Sequence, residues 1–169
     1  IKLLSEAKSI TPDKITACVL KRSRHDKIIK SLNDLNVKIK FISDGDVSGV
    51  ISVSDNKSPV DIYLGIGGGP EGVLAAAALK CLGCQMQTRL IFNNEEEKIR
   101  TKKLGIKDLN QKYNINDMVK DDVIFCASGV TDGDIVKGIE NFNDYFLSET
   151  LVLHKSSNTN KIIKNKIIK

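Results

Sequence analysis

Residues 61–79 read DIYLGIGGGPEGVLAAAAL: an apolar run enters four glycines in five positions and leaves through Pro70-Glu71-Gly72 into an alanine-rich stretch. That order of residue types folds as strand, tight loop and helix. Glycine lets backbone N–H groups approach a ligand closely, and a helix N-terminus favours negative charge, so the pattern predicts phosphate binding. Glu71 modifies that expectation. A carboxylate and a phosphate share one helix mouth only with a cation between them, which points to metal-assisted phosphoryl chemistry over plain nucleotide binding.

The 169 residues suit one domain with a real core. The chain starts at Ile1, so it reads as a fragment or a processed product. Its net charge of +5 resides in one place: five lysines and no acid follow from Lys155 onward, and the remainder is balanced. With that distribution and only 5% aromatic residues, a basic face with stacking rings is not expected, which argues against a nucleic-acid partner. No apolar run approaches the ~20 residues of a membrane span, and no secretory signal is present, so a cytoplasmic protein without a membrane partner is expected. Cys18, Cys81, Cys84 and Cys126 fall in runs that read as buried strands or helix ends. Cys81 and Cys84 have CxxC spacing but no second pair, so reduced buried thiols are expected, not zinc.

Hydrophobic periodicity predicts strands at Ile15–Leu20, Val37–Ile42, Ile62–Ile66, Met86–Phe92, Val123–Ala127, Leu147–His154 and Lys161–Ile168. Helices are predicted from Asp26 to about Leu35, near Val47–Val53, over Gly72–Leu82 and over Glu95–Leu104. Strands alternating with helices give an α/β domain with a mostly parallel or mixed sheet flanked by helices. Ligands gather beyond the carboxyl ends of such strands. The basic loop at Arg22, the Asp44-Gly45-Asp46 turn, the glycine loop and the Ser128–Asp134 loop are all expected there.

Gly67-x-Gly69-x-x-Gly72 matches the dinucleotide fingerprint, so an oxidoreductase domain is one alternative. Against it, Glu71 would repel a pyrophosphate, and Asn93-Asn94 stand where a ribose-binding acid belongs. Arg22 and Arg24 end the first strand; guanidinium forks match phosphate oxygens, although a solvated loop has the same composition. His25 is read as a capping or packing residue. Asp44 and Asp46 flank a glycine and could ligate a metal, accept bonds from sugar hydroxyls, or serve only the turn. Thr131-Asp132-Gly133-Asp134 offers the same choice, and His154 is read as structural.

Together RSRHD (22–26), SDGDV (43–47), DIYLGIGGGPEGVLAAAALKCLG (61–83), VIFCASGVTDGD (123–134) and SETLVL (148–153) resemble the class II fructose-1,6-bisphosphatases, including forms that also act on sedoheptulose 1,7-bisphosphate. The resemblance runs from about Ile10 to His154, and its most specific segment is GIGGGPEGV. It implies a cytoplasmic phosphatase of gluconeogenesis that removes the sugar 1-phosphate with Mg²⁺ or Mn²⁺, or alternatively a sedoheptulose bisphosphatase of a pentose cycle. Glu71 is implied as metal ligand and catalytic residue. Arg22, Ser23 and Arg24 are implied at the distal phosphate, Asp44, Gly45 and Asp46 at the sugar, and Gly68 as a substrate contact. Where the family has Lys-Pro-Arg, this chain has Arg22-Ser23-Arg24, keeping charge and losing a rigid proline.

Members of that family are about twice as long, and the resemblance covers their C-terminal half. It implies that residues 1–169 are one C-terminal sugar-phosphatase domain, with 1–10 a remnant of a preceding helix and 155–169 a basic strand or tail. The N-terminal half, with most metal-binding carboxylates, is absent from this chain. A homo-oligomer is implied for the full-length enzyme.

Overall fold

A computed structural model of the chain describes every residue except Asn56, and Asp46 by its backbone alone. Strands β1 (Thr16–Leu20), β2 (Lys38–Ile42) and β3 (Ile62–Tyr63) form a parallel sheet in the order β2-β1-β3. Central β1 is buried from Ala17 to Leu20, as a strand covered on both faces must be. Helices α1 (Lys2–Lys8) and α2 (Asp26–Asn33) cover one face, where Leu4, Ile28, Ile29 and Leu32 meet Ile15, Ala17 and Val19. Helices α3 (Asp46–Ile51) and α4 (Gly69–Leu82) cover the other, with Val50, Ala75, Ala76 and Leu79 packed against Tyr63.

The far side of α4 packs on a second sheet, formed by β6 (Ile124–Ser128), β7 (Glu140–Asn141), β8 (Tyr145–His154) and β9 (Thr159–Ile168), all antiparallel. Ala78, Phe125, Leu151 and Leu153 form that contact. Enclosure between two sheets explains the alanine run: alanine is the best helix former and its methyl lets both sheets approach closely. Ala76 and Ala78 are fully buried. A ribbon of β4 (Gln87–Arg89) and β5 (Lys112–Asn114) carries the charged α5 (Glu95–Lys103) and the short α6 (Ile115–Met118), whose Ile115 packs beside Ala75 and Leu79.

The α/β class is as expected, with the mixed arrangement split into one parallel and one antiparallel sheet. Helix α4 starts at Gly69, three residues before the expected Gly72, because Pro at N2 suits a first turn. Glu71 therefore stands inside the helix. The β3 strand ends at Tyr63, since glycines 65 and 67–69 do not sustain a ladder. After α4 the chain enters an antiparallel ribbon, and among the described residues no later strand pairs parallel to β3. The βαβ unit that a dinucleotide fingerprint requires is therefore missing, which removes the oxidoreductase alternative. The Ser128–Asp134 loop follows an antiparallel strand and folds back on its own sheet: Gly129 N–H donates to Glu149 O, and Asp132 accepts from Gly138 N–H. From there it reaches back toward the first sheet: Asp134 lines a cavity with Lys40 of β2 and with Ser48 and Ile51 of α3, and Ile135 and Val136 pack on the same cluster as Val47 and Ile51. All four thiols are free: Cys18 is buried, Cys81 and Cys84 are half-buried, and Cys126 is exposed on β6 rather than buried; burial pushes the first three thiols up.

His154 is structural, as read. Its Nε2 pairs with Asp122 Oδ2 at 2.8 Å and its Nδ1 with Ser157 Oγ at 2.8 Å, fastening the β8–β9 turn. Hydrogen bonds from Ser156 and then His154 hold the Asp122 carboxyl well below the usual range. A depressed carboxylate stabilises the fold fully above its unfolded value of ~3.9 and loses that contribution as pH falls below it. Thermal melts of wild type and Asp122→Asn should differ at pH 7 and converge as pH drops through 4 toward 2; a constant gap would contradict the assignment.

Candidate functional site at the carboxyl edge of the parallel sheet

Three loops leave the same edge because β1, β2 and β3 are parallel. After β1, Lys21 N–H donates to Ile42 O, Arg22 is extended, and Ser23–His25 form a 3₁₀ turn into α2. Arg22, Ser23 and Arg24 are exposed, so two guanidinium groups stand at the edge. Arg22 donates to Lys21 O at 3.1 Å. Arg24 Nε–H donates to Ile66 O at 2.7 Å, which joins the basic loop to the glycine loop.

After β2, Gly45 caps α3 at φ +80, a left-handed conformation that glycine adopts without strain. Asp44 accepts from the Gly45 N–H at 2.8 Å, and Ser48 Oγ donates to Gly45 O at 2.7 Å. The turn role is therefore real for one oxygen of Asp44; the exposed Oδ2 makes no hydrogen bond among the described residues. The side chain of Asp46, expected at the sugar, lies outside the described residues; its backbone opens α3.

After β3, the glycine loop runs into α4 with Gly68 as N-cap and Gly72 N–H bonding Gly68 O. Glu71 occupies the first turn and is exposed. It makes no ion pair among the described residues, so the helix N-terminus holds an un-neutralised carboxylate. That carboxylate folds back over Gly68: a Cβ there would overlap Glu71 Oε2. The glycine keeps the space in which the carboxylate lies against the loop.

His25 is fully buried at the centre of this edge. Its Nδ1 lies 2.6 Å from Leu20 O, and the Ile66 N–H donates to Nε2 at 2.8 Å. Nε2 also lies 3.1 Å from Ile66 O. The Leu20 carbonyl at Nδ1 requires a proton there and the shorter Ile66 N–H contact at Nε2 favours a bare nitrogen, so the geometry fits best the neutral ring protonated on Nδ1. The sequence marked His25 as a packing residue; that it bridges two strand-end loops 41 residues apart was invisible without the sheet order.

Parallel topology thus sends the loops carrying Arg22, Ser23, Arg24, Asp44, Gly45, Gly68 and Glu71 from one edge, while Asp134 comes up to Lys40 and α3 from the second sheet. Cationic forks can bond an anion, and a carboxylate oxygen can accept from hydroxyls. For a divalent ion the set is incomplete. Among the described residues no three His, Cys, Asp or Glu side chains gather closely enough to hold one, and a hard cation takes about six oxygens.

Residues 1–167 match the family model described as bacterial fructose-1,6-bisphosphatase, glpX-encoded. A class 2 fructose-1,6-bisphosphatase of Haemophilus influenzae is 39% identical over 89% of this chain and 49% of its own length. A D-fructose 1,6-bisphosphatase class 2/sedoheptulose 1,7-bisphosphatase of Synechococcus sp. strain JA-2-3B'a(2-13) is 32% identical over 96% of this chain and 51% of its own length. The chain spans about half the length of the curated relatives it matches.

Proposed function

Because the chain belongs to the glpX-encoded bacterial fructose-1,6-bisphosphatase family, we propose that it supplies the sugar-phosphate half of an enzyme that hydrolyses fructose 1,6-bisphosphate to fructose 6-phosphate. The observation that supports this reading is that the loops carrying the two arginines, Asp44 and Glu71 all leave the carboxyl edge of one parallel sheet, with Arg24 bonded to the glycine loop. Arg22 and Arg24 hold the distal phosphate, Asp44 and Asp46 orient the sugar hydroxyls, and Gly68 lets the loop backbone approach the substrate. Glu71 is the residue that would hold Mg²⁺ or Mn²⁺; such an ion, when bound, offsets charge on the departing phosphate and acidifies a water.

One carboxylate does not make that site, so the remaining ligands come from the other half of a full-length family enzyme. The uncovered face of the second sheet supports this division. Leu151 and Leu153 point to α4, so Ile124, Cys126 and Ile167 lie on the opposite face, where Ile124 is 63% and Ile167 54% exposed. No described helix packs on that face, which suits a further layer. A cytoplasmic, homo-oligomeric enzyme of gluconeogenesis, with no nucleic-acid or membrane partner, completes the proposal. No described helix is long and apolar enough to cross a membrane.

Phosphate release from fructose 1,6-bisphosphate and sedoheptulose 1,7-bisphosphate, each with Mg²⁺ and Mn²⁺, is the test. The 169-residue chain alone should show no turnover above background, and a full-length family enzyme carrying it should turn over in the presence of either ion. Turnover by the isolated chain at the full-length rate would contradict the division of ligands, and metal-independent activity would contradict the reading as a whole.

A further inference from the structure

A loop with four glycines in five positions has little intrinsic reason to hold one shape, since glycine loses the most backbone entropy on ordering. Something must fix it if Gly68 and Glu71 are to meet a ligand without a reorganisation cost. The hydrogen bonds of its backbone show where the fixing is done. Among the described residues, Gly65 and Gly67 make no backbone hydrogen bond, and the bonds that hold the segment before the helix fall on the peptide groups of Ile66. Its N–H goes to His25 Nε2 and its C=O accepts from Arg24 Nε–H. Arg24 is exposed and committed to the substrate in the proposed reading, whereas His25 is fully buried and anchored from behind by Leu20 O at 2.6 Å.

We propose that His25 is a positioning residue: the neutral ring, protonated on Nδ1, clamps the Ile66 N–H to the end of β1 and so presets the glycine loop and Glu71 for the sugar phosphate. This rests on the reading of the edge as a sugar-phosphate site. The clamp needs two atoms in defined states. Nδ1 must donate to a carbonyl that β1 supplies, and Nε2 must keep its lone pair for the Ile66 N–H. A ring protonated on Nε2 would turn its N–H toward the Ile66 N–H 2.8 Å away and keep only the longer 3.1 Å contact to Ile66 O, so the hold on the Ile66 N–H would be lost. His25 touches no reacting atom, so its effect falls on loop order and substrate affinity, not on the chemical step.

Two substitutions separate clamping from mere core filling. Gln reaches the Nε2 position and presents an amide oxygen to the Ile66 N–H, while Asn can bond Leu20 O but falls short of Ile66. Titration of the 169-residue chain with fructose 1,6-bisphosphate, followed by amide NMR, should give shifts at Gly67–Gly69. Loss of one buried hydrogen bond to the loop should weaken that affinity about tenfold in His25→Asn and leave His25→Gln within about threefold of wild type. Hydrogen exchange at Ile66 and Gly67–Gly69 should rise in His25→Asn and be restored in His25→Gln. Ring nitrogen shifts of the wild type should report Nδ1 protonated and Nε2 bare.

Equal affinity and equal exchange in the two variants would overturn the proposal, as would a wild-type ring protonated on Nε2. If the wild type binds no bisphosphate, the sugar-phosphate reading fails by itself, and the exchange and ring measurements still decide the clamp. If His25→Asn does not fold, His25→Gln with native exchange and an intact wild-type tautomer supports it, and His25→Gln with a freely exchanging loop sinks it.

Discussion

Replacing Glu71 by Gln in a full-length family enzyme carrying this chain should lower kcat on the order of 10³-fold while leaving the fold intact. The side chain is exposed and makes no ion pair among the described residues, so an isosteric amide costs the domain little. Yet Gln brings no charge to the mouth of α4. If the carboxylate shares a divalent ion with the phosphate, the amide weakens the ion's hold in ground and transition states, and higher Mn²⁺ should recover part of the rate. The matched readouts are a thermal melt, unchanged within about 1 °C, and the Mn²⁺ concentration for half-maximal phosphate release, shifted upward. Full activity at ordinary Mn²⁺ would remove Glu71 from the site.

Arg24→Ala should act mainly on binding. A guanidinium held against a phosphate contributes about 1.5–3 kcal/mol as a charged hydrogen bond, so KM should rise on the order of 10- to 100-fold. The substitution also frees Ile66 O from its 2.7 Å bond, so a modest fall in kcat through the loosened loop accompanies it. Arg24→Lys keeps the charge and loses the fork that reaches both the carbonyl and an anion; it should fall between wild type and alanine. An unchanged KM for the bisphosphate in Arg24→Ala would place the distal phosphate elsewhere.

Much of this edge is legible in the chain itself because local chemistry dictates it. The glycine loop, Pro70 in the first turn and the alanine run leave few alternatives to strand, loop and helix, and Asp44-Gly45 is a turn whatever surrounds it. The amphipathic spacing of Ile28, Ile29, Leu32 and Leu35 places α2 on β1. The layer order is not local. Whether Ile124–Ser128 joins the parallel strands or a separate antiparallel sheet depends on pairing with β8 more than twenty residues on, and short apolar runs do not encode that choice. The same limit hid the role of His25, whose partner Ile66 lies 41 residues away. The exposure of Cys126 is not legible because a run of VIFCA does not say which face of its sheet is covered; α4, α3 and the Ile135–Val136 segment pack on the face of Phe125, so alternate residues such as Cys126 are left outside.

A direct test reads the shared cation where it should lie. Mn²⁺ added to the full-length enzyme with a bound, non-hydrolysable analogue of fructose 1,6-bisphosphate should strongly accelerate phosphorus relaxation at the 1-phosphate position, and much less that of the 6-phosphate, which the arginines are proposed to hold. Glu71→Gln should abolish most of the acceleration at the same Mn²⁺ concentration. Equal relaxation of the 1-phosphate in wild type and variant would contradict the account, because the ion would then reach the ester without the carboxylate at the mouth of α4.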